Sequence, residues 1–585
     1  MSARPPGGLR SMALAAALAV CAACAEAPAP AAAPAERAAA PGWRGTAEPF
    51  AAHAIYFVLT DRFVNGDPSN DHRDQGGAHP TFDIALEPCD GVAGNIGYLG
   101  GDFRGLLDNA GYIRDLGFGA VWITPIVDNP DQAFTGGDEI SCTSFLSDRG
   151  KAGYHGYWGV NFHRLDEHLP SAGLDFAGLT AGLRAAGLKT VLDIVANHGS
   201  PAWSMPQRQP GFGQVFDAEG ALVADHQNLP PSQLDPANEP LHRFWSTKPD
   251  LAQLGDFDPD NPDVLDHLAG AYLQWIGQGA DAFRVDTIRH MPLDFWKRFA
   301  DRIRGEHPGF FMFAEAFDHE AANIAPFTWP ENGGIGVLDF PLKQAMAAVF
   351  GREGGGYERI AERLYLAGGP YQNPYELMTF YDNHDMARLD ADDAGFIDAH
   401  NFLFTARGIP VIYYGSETGF MRGRVEHAGN RNYFGQARID AAPAHPIHQA
   451  LARIAAVRRD NPALQRGLQV NLEMSGDRAA FYRVLQHGDD RQIALVLLNK
   501  GDTPARFEVD ALLEPGPWRA AIGGGTTTVA AGGSLAATVP AHGVEVFLHD
   551  GPVGRADLAA ALDAAAAGAR RTARPAAAST PAQAP

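Results

Sequence analysis

Apolar and polar positions alternate in a repeating order along most of this chain. Short, nearly all-apolar runs are each followed or preceded by a stretch of helical period. AIYFVLTDRF (54–63) opens the series. AGYIRDLG (110–117) then leads through glycine into GAVWITPIV (119–127), a helix followed by a buried strand. FAGLTAGLRAAG (176–187) and KTVLDIVANH (189–198) repeat the theme. Phe176, Leu179 and Leu183 fall on one helical face, and Gly187 stands where the helix must end. In the next unit Asn261 is the candidate N-cap with Pro262 at the first helical position, ahead of the strand ADAFRVD (280–286). FFMFAEAF, YELMTFYDNHD and GIPVIYYGSE are further apolar strands. Strands apolar on both faces, separated by helices, predict a parallel sheet covered on both sides.

Polar and ionisable residues gather at the C-terminal ends of these strands. In a (β/α)8 barrel that is the face that carries active sites, and no glycine-rich phosphate loop supports an open doubly wound sheet instead. The expected fold is therefore a (β/α)8 barrel over 46–198 and 255–460. Residues 199–254, rich in Pro, Asn, Asp and Gln, interrupt the rhythm as an inserted domain. Beyond 460 the runs AAFYRVL, QIALVLLN and VEVFLHD alternate with period two, which predicts an antiparallel β-sandwich over 461–550. Residues 551–585 read as a structureless Ala/Pro-rich tail, and residues 26–45 as a linker of the same kind.

Arg4 and Arg10 precede an apolar run from 12 to 23, too short for a membrane span, and Ala23-Cys24-Ala25 fits a signal-peptidase site. Residues 1–25 thus read as an export signal toward a periplasmic or extracellular location, with a lipid anchor at Cys24 as the alternative. No other segment looks membrane-spanning. Two of the four cysteines lie in this leader. Cys89 and Cys142 remain, with no metal-ligand spacing, as a candidate disulfide. The formal charge of −23 argues against a nucleic-acid partner, because a polyphosphate needs clustered Lys and Arg.

Four segments carry the chemistry: Asp193-Ile-Val-Ala-Asn197-His198, Asp281-Ala-Phe-Arg284-Val-Asp286, Phe313-Ala-Glu315 and Phe380-Tyr-Asp-Asn-His384-Asp385. Each ends an apolar strand, so together they bring three carboxylates, two histidines and an arginine toward one pocket. Glycoside hydrolysis uses such a set: one carboxylic acid to protonate the leaving oxygen, and a carboxylate to attack or to activate water. Arg284, two residues before Asp286, emerges on the same strand face.

In order and spacing these segments resemble the four signature regions of the α-amylase family, glycoside hydrolase family 13. AVWITP and GIPVIYYGSE resemble its second- and eighth-strand motifs. The resemblance spans roughly residues 50 to 550 and implies a retaining mechanism. Asp286 takes the place of the nucleophile, Glu315 of the acid/base, and Asp385 of the third carboxylate. Arg284, His198 and His384 match residues around the −1 sugar. Tyr157, in Tyr154-His155-Gly156-Tyr157-Trp158, matches a stacking tyrosine with His155 as its polar neighbour. The cyclodextrin glucanotransferase and bacterial amylase branch is the most similar in motifs. It implies Ca2+ held by Asn65, Asp67, Asn70, Asp71, Gly100 and Asp102, and a second site beside Asn197. That second site lacks a ligand, because Gln253 stands where the branch has Asp, unless Asp250 or Asp256 substitutes. Pro249 replaces a central aromatic residue, which disfavours cyclisation. Arg289 replaces an acceptor-side Lys, and Ala316 replaces a Trp after the acid/base.

The function expected is cleavage of α-1,4-glucosidic bonds in starch-derived glucans. Without an appended starch-binding module, soluble maltooligosaccharides are the expected substrates. The alternatives are a transglycosylase or cyclomaltodextrinase-type enzyme of the same family, an enzyme for another α-glucoside, and a non-catalytic glucan-binding protein.

Overall fold

The computed structural model describes residues 45–568, apart from 143, 145, 146 and 488. The leader, Cys24, the linker up to 44 and the last part of the tail lie outside the described residues.

Eight parallel strands form the centre: β1 (Ile55–Val58), β2 (Ala120–Ile123), β3 (Lys189–Ile194), β4 (Ala282–Val285), β5 (Phe311–Ala314), β6 (Gly336–Val337), β7 (Met378–Thr379) and β8 (Ile409–Tyr413). They are hydrogen-bonded in the order β6-β5-β4-β3-β2-β1-β8-β7. A parallel bridge between Leu338 and Met378 joins the two ends, so the sheet closes into a nearly complete barrel. Every residue of β1, β2, β4, β5 and β8 is buried, as strands packed on both faces must be. Inside, the Phe57 ring stacks on Trp122 at 3.7 Å. This aromatic pair fills the volume beneath the site.

The helices form as their sequences predict. α1 (Phe176–Ala185) buries Phe176, Leu179 and Leu183, and Gly187 follows it at φ +86°, where a side chain would be strained. α2 (Pro262–Gly277) is capped by Asn261, whose side chain accepts from the Asp263 amide. Between β3 and β4 the chain leaves the barrel. It makes a hairpin of Gln214–Phe216 with Leu222–Asp225 and returns as Leu254–Asp256, paired with His198–Pro201. A second excursion, between β2 and α1, carries the antiparallel pair Val127–Asp128 and Asn161–Leu165. Cys89 and Cys142 are joined by a disulfide, Cα atoms 5.6 Å apart. It ties the β1 excursion to the β2 excursion.

The C-terminal part holds a six-stranded antiparallel sheet of β9 (Leu468–Ser475), β10 (Arg478–His487), β11 (Asp490–Asn499), β13 (Gly516–Ala520), β14 (Thr526–Val529) and β16 (Gly543–His549), in the order β9-β10-β11-β16-β13-β14. A two-stranded ribbon, β12 (Ala505–Val509) with β15 (Leu535–Val539), packs Phe507 and Leu535 against its Tyr482 and Leu495. One expectation is corrected here. The tail read as structureless from 551 begins with a helix, α3 (Ala556–Gly568), that buries Leu558 and Leu562 against the same core. Its alanine-rich sequence looked like low complexity. Alanine is also the best helix former, and two leucines four apart are enough to dock one face.

No helix among the described residues is long and apolar enough to cross a membrane.

Candidate active site

Register places the first charged pair. Arg284 on β4 is the Cα partner of Asp193 on β3 and of Phe313 on β5, so the side chains of Arg284 and Asp193 share the barrel interior. The backbone then turns at the strand ends. Asp286 donates its amide to the Ile194 carbonyl, Glu315 to Val285, and Ile288 to Glu315, with Thr287 between them at φ +48°. These bonds fix the two acidic residues on adjacent strand tips.

Arg284 is fully buried, and its fork touches three carboxylates. Nη1 donates to Asp193 at 2.9 Å and 3.1 Å and to Asp286 Oδ1 at 2.7 Å, and Nη2 donates to Glu315 Oε2 at 2.9 Å. Asp193 also accepts from Tyr157 Oη at 2.8 Å and from Trp122 Nε1 at 3.0 Å. A buried cation with one anion would cost more desolvation than it gains. Several carboxyl partners at hydrogen-bond distance offset that. Asp286 and Glu315 are held by the two ends of the same guanidinium. Burial pushes the Glu315 carboxyl well above the usual carboxylate range, and the charges of Asp385 and Asp286 push it further. Glu315 is thus the carboxyl of this pair that keeps a proton.

Asp385 stands on the opposite side, a third of its side chain open to solvent. His384 Nε2 lies 3.2 Å from it, and Arg431 Nη2 donates to its Oδ1 at 2.6 Å. Burial raises its carboxyl to about 6, against the pull of Arg431 and Arg284. The Tyr157 ring stacks on His384, centroids 5.3 Å apart. His155 Nδ1 accepts from the Tyr157 amide at 3.1 Å, which sets the tyrosine's backbone. Burial lowers His198 to about 4 and drives His384 and His155 well below the usual imidazole value. All three rings are therefore neutral near pH 7, each with one donor and one acceptor nitrogen.

Arg289 reaches the rim. It donates to the Phe317 carbonyl at 2.6 Å and lies 3.3 Å from Asp318. Phe317, two residues after Glu315, is 52% exposed, the most open large apolar side chain described. Nearby, His290 Nδ1 lies 2.9 Å from Asp250 Oδ2, so exposed Pro249 also belongs to this rim.

The proposed metal ligands divide. Asn65 Nδ2 donates to Asp71 Oδ1 at 2.7 Å, and both crowd Gly100, where any Cβ would collide with them. The carbonyl oxygens of Asn65 and Asn70 are buried without a partner, as oxygens meant for a cation would be. Asp102 converges on the same turn but already accepts from the Gly66, Asp67 and Gly105 amides. Asp67 does not join them; its exposed carboxylate caps the turn at Ser69. Asn197 is buried with its amide 3.4 Å from His198 Nδ1. Gln253 keeps a buried, unpaired oxygen beside Gly137, and Asp250 is engaged by His290.

Over residues 57–461 the chain matches the Alpha-amylase family, described as alpha amylase, catalytic domain. The chain belongs to the α-amylase family. Among its relatives, the cyclomaltodextrin glucanotransferase of Geobacillus stearothermophilus is 28% identical, over 83% of this chain and 64% of its own length. The chain thus spans less than two thirds of that curated relative. The crystal structure of a cyclomaltodextrin glucanotransferase with a three-domain ABC distribution is 30% identical at TM-score 0.67, covering 85% of this chain and 99% of that one. The α-amylase of Geobacillus thermoleovorans, solved with acarbose, is 24% identical at TM-score 0.62, over 85% of this chain and 98% of that one. It bears on the fold alone.

Sequence reasoning missed several residues of this α-amylase-family site. Asp193 opens a signature segment, yet nothing in one sequence says that it is the anion beneath Arg284. Trp122 passed as ordinary strand core. Arg431 and Glu426 lie on the loop after β8, beyond every motif, and only the fold brings them beside Asp385. Asp166, Glu167 and His168 are the one group of three potential metal-ligating side chains among the described residues. They adjoin the expected calcium turn: the His168 ring meets that of His72 at 5.2 Å, and Asn70 donates to the Pro170 carbonyl at 3.0 Å.

Proposed function

We propose that this protein is a retaining enzyme that cleaves α-1,4-glucosidic bonds in starch-derived glucans and maltooligosaccharides. Glu315, protonated, gives its proton to the glycosidic oxygen as Asp286 attacks the anomeric carbon. The bond to the leaving sugar breaks, and a β-glucosyl-enzyme forms. Glu315 then takes a proton from water, which displaces Asp286 and restores the α configuration. Arg284 orients both carboxyls. Asp385 grips hydroxyls of the −1 sugar, neutral His198 and His384 add hydrogen bonds, Tyr157 supplies the stacking face, and Arg289 serves the acceptor side. The observation that carries this reading is the Arg284 fork, which reaches Asp286 with one nitrogen and Glu315 with the other. One guanidinium that reaches both carboxyls favours the roughly 5 Å spacing of retaining enzymes over the roughly 6.5–9.5 Å that an inverting enzyme leaves for water.

Calcium would be held by Asn65, Asn70, Asp71 and the Gly100 carbonyl, with Asp102 closing the turn. Its contribution would be to stiffen the loop under the site, not to react. The leader and the Cys89–Cys142 disulfide support an exported enzyme, since disulfides persist in oxidising compartments.

Transfer to a second sugar in place of water is the other reading, favoured by the similarity to cyclomaltodextrin glucanotransferases. Pro249, where an aromatic would guide a circling chain, weighs against cyclisation. Product analysis on maltoheptaose, β-cyclodextrin and pullulan separates these readings. Short linear products support hydrolysis, longer or cyclic ones support transfer, and no turnover of any α-glucan contradicts both.

A further inference from the structure

Arg284 organises Asp286 and Glu315, while Asp385 is held from the other side by a line of charges of alternating sign. Arg431 Nη2 contacts Asp385 at 2.6 Å, and its Nε donates to the His384 carbonyl at 3.0 Å. Arg431 Nη1 lies 2.9 Å from Glu426. Glu426 also meets Lys151 Nζ at 3.5 Å, and Lys151 meets Asp148 at 2.7 Å. From the inside out the signs run minus, plus, minus, plus, minus. The side chains of Lys151, Arg431, Asp148 and Glu426 are 7%, 8%, 11% and 17% exposed, so water screens these pairs far less than surface ones.

The frame around this line is rigid. Phe134 donates to the Lys151 carbonyl at 2.9 Å, Gly150 donates to Phe134 at 2.7 Å, and Ala152 donates to Ile96 at 2.9 Å. The Cys89–Cys142 disulfide closes the same excursion. Arg424, two residues before Glu426, donates to the Cys89 carbonyl at 3.3 Å. The disulfide and the Arg424 hydrogen bond together link the loop bearing Lys151, through the Cys89 loop, to the loop bearing Glu426 and Arg431.

We propose that Lys151 is a positioning residue that, through Glu426 and Arg431, holds the Asp385 carboxylate in its working place. Two cations share the buried Glu426. Without Lys151, Glu426 draws Arg431 toward itself, and Asp385, partly open to solvent, loses its anchor. The groups that face Asp385 are Arg431, Arg284, Asp286, Glu426, Glu315, His384 and Tyr157. Those that face Lys151 are Asp148, Glu426, Tyr154, Arg431, His155 and His427, the last 3.5 Å from Glu426 and neutral near pH 7 because burial lowers it to about 4. Removing the Lys151 charge makes the surroundings of Asp385 more negative, so it takes up its proton at higher pH. Removing the Glu426 charge does the opposite.

The inference rests on the α-glucan reading above. Its test is the pH profile of kcat and KM on maltoheptaose for the wild type, Lys151→Met, Lys151→Arg and Glu426→Gln. Lys151→Met is expected to lower kcat about tenfold with KM within about twofold, and to move the acid limb up by about half a pH unit. Lys151→Arg restores kcat to within about threefold, because it keeps the charge. Glu426→Gln moves the acid limb down, and it decides the matter alone if Lys151→Met does not fold. An unchanged acid limb in both variants, or Lys151→Arg as impaired as Lys151→Met, overturns the inference. Absence of wild-type turnover would instead count against the α-glucan reading. A crystal structure then decides independently: Arg431 still within hydrogen-bond distance of Asp385 in Lys151→Met overturns the inference.

Discussion

Arg284 is where burial and charge meet most sharply. Its guanidinium is fully buried, and three carboxylates depend on it. Arg284→Leu leaves Asp193, Asp286 and Glu315 crowded without a cation. We expect a loss of about 3–5 kcal/mol in unfolding free energy at pH 7, measured by denaturant titration, with partial recovery as acid neutralises the carboxylates. The sign follows from the missing cation: the variant's folded state binds protons more readily than its unfolded chain, so lower pH favours it. Asp385, raised to about 6, sets the acid side of activity. The enzyme needs this carboxylate ionised, so kcat/KM should fall as pH drops through about 6, read from initial rates between pH 4 and 9. Glu315 must stay protonated, and its strongly raised value places the alkaline limb well above the ordinary carboxylate range. At this scale the sequence was legible wherever a residue ends a strand. Asp286, Glu315 and His384 follow apolar runs directly, and the barrel delivers them to one face. Arg431 was illegible, because its place depends on how a long loop after β8 folds back.

Seven of the eight strands, with helices α1 and α2, were readable because their apolar periodicity is strong and their caps are explicit, as at Asn261 and Gly187. β6, two residues long, was not separable from its flanking loops by pattern alone, and β7, read within YELMTFYDNHD, pairs only over Met378–Thr379. The pairing of the excursions was hidden as well. Nothing local says that the loop of Cys89 meets the loop of Cys142, since their contact is set by where β1 and β2 end. The disulfide joins positions 53 residues apart in sequence, so Cys142→Ser should cost about 2–4 kcal/mol of stability. Differential scanning calorimetry should show a lowered Tm. Reductant should lower the wild-type Tm similarly and leave the variant unchanged. A variant melting with the oxidised wild type would mean that the bond constrains nothing. α3 teaches the converse: composition hid a helix that two leucines suffice to dock.

Across the whole molecule, the barrel supplies a frame into which three long excursions and a C-terminal sheet are set. These excursions, with the loop after β8, carry the Asn65–Gly100 turn, the Pro249 rim and the Lys151 line. If the turn at Asn65–Gly100 holds calcium, a chelator should lower Tm by several degrees and added Ca2+ should restore it. Asn70→Ala should abolish that response. An equal melt with and without chelator would mean that the buried oxygens of Asn65 and Asn70 are satisfied otherwise. The central claim, that Asp286 and Glu315 work as nucleophile and acid/base, is reached most directly by trapping the intermediate. Glu315→Gln would be incubated with an α-maltosyl fluoride, whose leaving group needs no acid, and the digest analysed by mass spectrometry. The account predicts a glucan adduct on the peptide carrying Asp286, absent from the Asp286→Asn, Glu315→Gln double variant. An adduct on another carboxylate, or turnover that inverts the anomeric centre with no adduct, would contradict it.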